Sequence, residues 1–165
     1  MNIGIMSDSH KNLEQVNRAV QMAEARYPIG LWLHAGDCSP DGKYLETITK
    51  AKVVVVMGNC DQIHLPIHAT EVVEADGHRI LLTHGYLEGV NFGFRGLLKK
   101  ARKVKADIVV YGHTHVGGIE TYENVLLLNP GSVSRPRDGK PPSFMVLHID
   151  GKDVQAEFLY LTDEA

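Results

Sequence analysis

The chain is poor in the features that mark several whole classes of protein. It has two cysteines, Cys38 and Cys60, in 165 residues, too few for a disulfide framework. That composition fits a reducing compartment, and the cytoplasm is the expected location. No apolar run approaches the roughly 20 residues needed to cross a bilayer, so no membrane association is expected. The opening residues, Met1-Asn2-Ile3-Gly4, place no basic stretch ahead of an apolar one, and no signal peptide is expected. Neither sign of charge dominates: a net charge of -3 gives no general affinity for nucleic acid or anionic membrane. There is no internal repeat, low-complexity tract or linker. What is plentiful is apolar material. At 44% hydrophobic residues, the chain can build the core of one domain spanning residues 1–165.

The first half alternates two periodicities. A strand is expected near residues 2–6, then a helix over about 12–26 whose Leu13, Val16, Val20 and Ala23 form one buried stripe, closed by Pro28 and Gly30. A strand near 30–34, a short helix near 44–48 and a strand over 52–57 follow. The near-continuous Val and Ile runs in this order imply parallel strands covered on both faces. The second half changes character. Strands at 70–75 and 78–83 flank Asp76-Gly77, a strong hairpin signal. A helix over about 92–104 leads to a strand ending before His113. Strands at 119–122 and 125–128 turn at Glu123-Asn124, and strands at 143–149 and 153–161 turn at Asp150-Gly151-Lys152. Residues 136–142 read as an exposed loop. The pattern fits a mixed pair of sheets with helices outside.

The ends of the strands carry the chemistry. Asp8-Ser9-His10 follows Ile3-Gly4-Ile5-Met6, and Gly36-Asp37 follows Leu31-Trp32-Leu33-His34. Gly58-Asn59-Cys60-Asp61, His84-Gly85 and Gly112-His113-Thr114-His115 each follow their own apolar run. Any one of these residues alone reads equally well as a turn or capping residue. In open α/β sheets, however, ligands collect at the carboxyl ends of strands. Carboxylate, imidazole and amide oxygen without thiolate suit Mn, Fe, Co, Ni or Zn. Two such ions about 3.5–4 Å apart can clamp a phosphate, provided one carboxylate serves both. Asp37, at the central strand end, is the natural choice for sharing.

Taken in order, these five blocks resemble those of the calcineurin-like metallophosphoesterases. The short length and Asn129-Pro130-Gly131-Ser132 resemble its small prokaryotic YfcE-like phosphodiesterase subfamily. The resemblance implies a two-sheet β-sandwich flanked by helices, layered α/β/β/α. It implies two divalent transition-metal ions, with manganese first among Mn, Ni, Co, Fe and Zn. The first would be held by Asp8, His10, Asp37 and His115, the second by Asp37, Asn59, His84 and His113. It further implies hydrolysis of a small phosphodiester or nucleotide-type substrate by in-line attack of a metal-bridging hydroxide. No stable nucleic-acid binding is expected, and oligomeric state stays open, with dimers or tetramers suggested by the resemblance. Asn59 and His84 belong to this catalytic set, and Asp61 keeps the role of an orienting carboxylate.

Two positions depart from the family pattern. Cys60 stands where the family usually has His, and a thiol is a poorer proton donor near neutral pH. Leaving groups of low pKa should therefore be preferred. Cys60 itself reads equally as a packing residue or as one that touches substrate. Lys11 stands where Gly is common, and its side chain can extend into solvent at little cost. Arg135 or Arg137 is suited to phosphate contact, beside the simpler reading of a tight turn. His34 reads as a satisfied core histidine, His64, His68, His78 and His148 as loop or surface residues, and Cys38 as packing. The basic run Lys99, Lys100, Arg102, Lys103 and Lys105 reads as a solvated helix face above Leu97, Leu98 and Ala101. The alternatives are a phosphomonoesterase or nucleotide pyrophosphatase with the same site, or a protein-binding scaffold like the retromer relative of this fold.

Overall fold

A computed structural model describes residues 1–59, 61 and 67–162. Its strands are β1 (Asn2–Met6), β2 (Ile29–His34), β3 (Lys52–Val55), β4 (Thr70–Ala75), β5 (His78–Thr83), β6 (Ile108–Val110), β7 (Gly118–Tyr122), β8 (Val125–Asn129), β9 (Ser143–Asp150) and β10 (Asp153–Tyr160). Its helices are α1 (Leu13–Arg26), α2 (Ser39–Ile48) and α3 (Arg95–Val104). The strands form two sheets, ordered β10-β9-β1-β2-β3 and β4-β5-β6-β8-β7. β1, β2 and β3 run parallel in the first, and β5, β6 and β8 in the second; the remaining pairings are antiparallel.

Strand alternation sorts the apolar side chains into three layers of contact. Ile3, Ile5, Leu31, Leu33, Met145 and Leu147 of the first sheet meet Ile80, Leu82, Ile108, Val110 and Leu128 of the second. The alternate residues Met6, Trp32, Phe144 and Val146 face outward onto Val16, Val20 and Ala23 of α1 and Leu45 of α2. Leu81, Val109 and Leu127 face outward onto Leu97 and Ala101 of α3. The central strands are therefore apolar on both faces because both faces are covered, giving the expected α/β/β/α layering. Each such side chain, when fully buried, contributes about 1.5–3 kcal/mol.

Turn chemistry fixes the hairpins. Asp76 and Gly77 have φ of 48° and 83°, and Glu123 and Asn124 have φ of 52° and 65°, the paired left-handed residues that match the twist of a two-residue turn. Several boundaries differ from the sequence reading. Leu13 is 40% exposed, and Ala19 takes its place in the buried stripe of α1. Gly30 lies inside β2 rather than closing the helix. α2 begins at Ser39 rather than near 44, and Pro40 in its first turn fits a helix start. The segment before α3 is a separate 3-10 turn, Val90–Phe92, cut off by Gly93 at φ 130°. His78 and His148 are strand residues held by hydrogen bonds, not free loop positions: His78 meets Asp107 and the Gly151 carbonyl, and His148 meets Asn2 and Glu157. His68 is exposed and pairs with Glu71, and His64 lies outside the described residues. No helix among the described residues is long and apolar enough to cross a membrane.

Candidate metal centre

The two sets of parallel strands end on the same edge of the sandwich, where their loops meet. The Asp8 amide donates to the Gly36 carbonyl at 2.9 Å, and the Gly112 amide to the His84 carbonyl at 2.9 Å. The bond from the His113 amide to Asp8 Oδ2, at 3.1 Å, then joins the two sheets. Five candidate ligands sit in left-handed backbone conformation: Asp8 (φ 57°), His10 (46°), Asp37 (43°), His113 (73°) and His115 (61°). Asp and His tolerate that region better than most residues, yet it still costs roughly 1–2 kcal/mol per residue. Such strain persists only where surrounding contacts over-determine it, and clusters at functional sites.

Those contacts are visible. The Asp8 carbonyl accepts from Ser132 Oγ at 2.8 Å and Ser134 Oγ at 3.1 Å, and Asp8 Oδ2 accepts from Ser7 Oγ at 2.6 Å. Two glycines leave room for the carboxylates. A Cβ on Gly58 would stand 2.0 Å from Asp37 Oδ1, and one on Gly112 would stand 2.7 Å from Asp8 Oδ2. Asn129 donates to Thr114 Oγ1 at 3.0 Å, holding the residue between His113 and His115.

A second network lies beneath. The Gly36 amide donates to His34 Nδ1 at 3.1 Å, so the hydrogen of neutral His34 is on Nε2, which donates to Ser9 Oγ at 2.9 Å. Ser9 Oγ in turn donates to Asp41 Oδ2 at 2.5 Å, which also accepts the Lys11 amide at 2.8 Å. His34, Ser9 and Asp41 are all buried, and burial lowers the pKa of His34. His34 is thus a satisfied core histidine. It ties the loop carrying Asp8 and His10 to the loop carrying Asp37.

Two groups of ligand atoms come within mutual reach: Asp8, His10 and His115, and Asp8, Asp37 and His84. His84 Nδ1 donates to the Ala35 carbonyl at 2.7 Å, and His115 Nδ1 to the Arg135 carbonyl at 2.6 Å. A carbonyl can only accept, so in both rings the hydrogen is on Nδ1 and the Nε2 lone pair faces the site. His84 Nε2 lies 2.9 Å from Asn59 Oδ1, 3.4 Å from Asp37 Oδ2 and 3.9 Å from Asp8 Oδ1. His115 Nε2 lies 3.2 Å from His10 Nε2 and 3.4 Å from Asp8 Oδ1. His113 turns its Nδ1 inward, 3.1 Å from Asn59 Oδ1 and 3.3 Å from His84 Nε2.

This donor set fits a cation. Around neutral His84, the Nε2 lone pair faces the oxygens of Asn59, Asp37 and Asp8, an arrangement that a proton or a metal ion reconciles. The buried Asp8 Oδ1 has no hydrogen-bond partner, and a buried carboxylate oxygen without one is costly. Burial works against charge on His84, but contact with Asp37 and the Asp8 and Asp37 charges outweigh it, so its pKa is raised. Burial holds His10 and His113 below the ordinary histidine value, which keeps those rings neutral and available as ligands.

The remaining expected residues have more modest places. Asp61 Oδ2 accepts the Gly58 amide at 2.7 Å, bracing the turn that presents Asn59. Arg135 offers its carbonyl to His115, and its exposed side chain is close enough for its charge to lower the pKa of His10. Cys60 lies outside the described residues. Lys11 has φ of 68°, so the residue where Gly is common meets its cost in the backbone, not in side-chain space. The sequence reading missed Ser7, Ser9, Asp41, Ser132, Ser134 and Asn91. Asn91 Nδ2 lies 2.9 Å from His113 Nε2. Of these, Ser9 and Ser132 lie within recognisable motifs and Ser7 and Ser134 adjoin Asp8 and Arg135, but nothing in their spacing signals a partner far away in sequence.

The calcineurin-like phosphoesterase superfamily domain matches residues 1–152. The phosphodiesterase YfcE of Escherichia coli K12 is 32% identical over 170 residues, covering 91% of this chain and 89% of its own length. The crystal structure of a predicted phosphoesterase from Streptococcus pneumoniae superposes with a TM-score of 0.82 at 31% identity, over 96% of this chain and 88% of that one. Vps29 of Entamoeba histolytica complexed with zinc superposes with a TM-score of 0.72 at 26% identity, over 96% of this chain and 98% of that one. With a matched domain over most of its length and the same two-sheet architecture, the chain belongs to the calcineurin-like phosphoesterase superfamily.

Proposed function

We propose that the protein is a phosphodiesterase that works with two divalent transition-metal ions. Asp8, His10, Asp37 and His115 would hold the first, and Asp37, Asn59, His84 and His113 the second. The observation that carries this reading is Asp8 Oδ1, buried without a hydrogen-bond partner and within 3.4 Å of His115 Nε2. Asp8 joins both groups of ligand atoms, and Asp37 joins the second. Asp37, at the end of the central strand β2, takes the shared place by the family resemblance.

Two ions of this kind supply Lewis acidity to a phosphoryl group and make water acidic enough to attack near neutral pH. The chain's own residues supply the rest. Ala35 and Arg135, through their carbonyls, keep His84 and His115 in the ligating tautomer. Asn59 directs its oxygen into the site, and Asp61 braces its turn. The exposed guanidinium of Arg135, whose charge reaches His10, would steady a phosphate anion. No Ser or Cys is required as nucleophile: Ser7, Ser9, Ser132 and Ser134 all spend their hydroxyls on holding backbone and carboxylates.

The test is hydrolysis of bis-p-nitrophenyl phosphate by protein loaded with Mn2+, compared with the mono-ester and with protein stripped by chelator. The reading expects metal-dependent turnover with the diester preferred. Preference for the mono-ester would move the assignment to a phosphomonoesterase. A scaffold role is the second reading, favoured by the superposition on Vps29. It expects no metal-stimulated hydrolysis, whether or not the chain binds a metal ion.

A further inference from the structure

Three of the candidate ligand histidines meet a hydrogen-bond partner on the side of the ring away from the site, and one of those partners differs in kind. His84 and His115 give their Nδ1 hydrogens to backbone carbonyls, which can only accept, so one tautomer is open to each. His113 is turned the other way round. Its Nδ1 faces Asn59 and His84, and its Nε2 lies 2.9 Å from the side-chain amide of Asn91. An amide has a donor and an acceptor and can serve either tautomer. To ligate through Nδ1, His113 must carry its hydrogen on Nε2. Asn91 Nδ2 would then set donor against donor, whereas a half-turn of the amide brings Oδ1 to the same place and makes the bond.

The fold presents Asn91 on a braced segment. Val90 is 6% exposed and packs among Leu81, Leu97 and Val109. Its amide donates to the Gly85 carbonyl at 3.1 Å, and the Phe92 amide to the Gly89 carbonyl at 2.9 Å. Glu88 is buried beside an apolar wall of Met57, Ala69 and Leu87, accepts from Thr83 Oγ1 and pairs with the Lys100 ammonium at 3.8 Å. The same segment carries Tyr86, which meets His113 edge to face with ring centroids 5.3 Å apart. One loop thus holds the His113 ring from two sides. The Asn91 side chain is exposed and, among the described residues, makes no other hydrogen bond. It caps no helix and closes no turn, so its contact with His113 is what its amide does.

We propose that Asn91 is a positioning residue for the second ion: through Oδ1 it accepts the Nε2 hydrogen of His113, holding that ring in the ligating tautomer and orientation. This role rests on the two-ion reading of the site and falls to a residue outside the five motif blocks. It also ranks the histidines. An amide that can turn stabilises the other tautomer as well, so His113 is less firmly set than His84 or His115. A carboxylate in place of the amide would remove the competing donor and complete a carboxylate–histidine–metal arrangement.

The test is calorimetric titration of the full chain with Mn2+, together with nitrogen NMR of the histidine rings in protein stripped by chelator. Asn91→Leu keeps the side-chain size without an acceptor. It should weaken the second ion roughly 10–100-fold, as loss of a ligating histidine's partner does, and leave the first within about twofold. Asn91→Asp should bind the second ion several-fold more tightly than the natural chain. Its His113 should also shift toward the Nε2–H form at about pH 8, where burial keeps the ring neutral. A merely structural asparagine would move neither reading. Phe92→Asp, at a neighbour 95% exposed, adds the same charge without the hydrogen bond and should give a smaller gain. Two ions bound with affinities unmoved by Asn91→Leu, an Asn91→Asp variant no tighter than the natural chain, or an equal gain from Phe92→Asp would overturn the proposal and leave the two-ion reading standing. A natural chain that binds no transition metal would overturn both.

Discussion

Ser9 Oγ stands between His34 and Asp41, accepting from His34 Nε2 at 2.9 Å and donating to Asp41 Oδ2 at 2.5 Å. This buried relay connects the loop after β1, the end of β2 and the first turn of α2. Ser9→Ala should leave His34 Nε2 without its acceptor and Asp41 Oδ2 with only the Lys11 amide, at about 1–3 kcal/mol for a buried unsatisfied group. Because Asp8 and His10 flank it, metal affinity should also fall, by roughly 10–100-fold as for other residues that orient ligands. Chemical denaturation and Mn2+ titration check the two effects. Unchanged affinity in a folded variant would make the relay purely structural.

Lys11 carries a left-handed backbone at φ 68°, with an exposed side chain. Lys11→Gly removes a strain of roughly 1–2 kcal/mol and adds about 0.5–1 kcal/mol of chain entropy to the unfolded state. The variant should be more stable by up to about 1 kcal/mol, which thermal melting would register as a rise of about 2–4 °C for a chain of this size.

His78 lies far from the metal centre, and its stability contribution depends on pH. Its bond to the Gly151 carbonyl, then its pairing with Asp107, raises its pKa above the ordinary 6.5. A raised folded value means the charged ring is favoured by folding. The contribution is therefore fully present below pH 6.5 and fades as pH climbs through the raised value. The difference in melting temperature between the natural chain and His78→Ala should be larger at pH 6 than at pH 9. The opposite trend would reverse the assigned sign.

Cys60 stands where the family resemblance leads to the expectation of His, and the expected consequence is kinetic. Cys60→His should speed hydrolysis of diesters with alkoxide leaving groups more than those with p-nitrophenolate, because only the poor leaving group needs a proton. Equal or slower turnover of the alkyl ester would remove that position from proton transfer.

Much of this architecture was legible in the chain. Ile3, Ile5, Leu31 and Leu33 announce buried strands, and Asp76-Gly77 announces its hairpin, because local period and turn chemistry decide both. The metal-ligand candidates were legible because each follows an apolar run. What was not legible depends on distance in sequence. Ser132 reaches the Asp8 carbonyl across 124 positions, and Asp41 reaches Ser9 across 32. A serine or aspartate in a loop gives no sign of such a partner. Likewise Glu88 reads as a surface carboxylate until Thr83 and the apolar wall close around it. The expected helix near 44–48 caught only the second half of α2, because Pro40 and Gly42 in its first turn carry no apolar period.

Metal content measures the assignment most directly. The full chain, equilibrated with Mn2+, freed of loose ions by dialysis and analysed by plasma mass spectrometry, should retain two ions per chain. Asp37→Ala should retain fewer than one and lose turnover even at saturating metal. A folded natural chain that retains no transition metal under these conditions, or an Asp37→Ala variant that keeps both ions and substantial turnover, would contradict it.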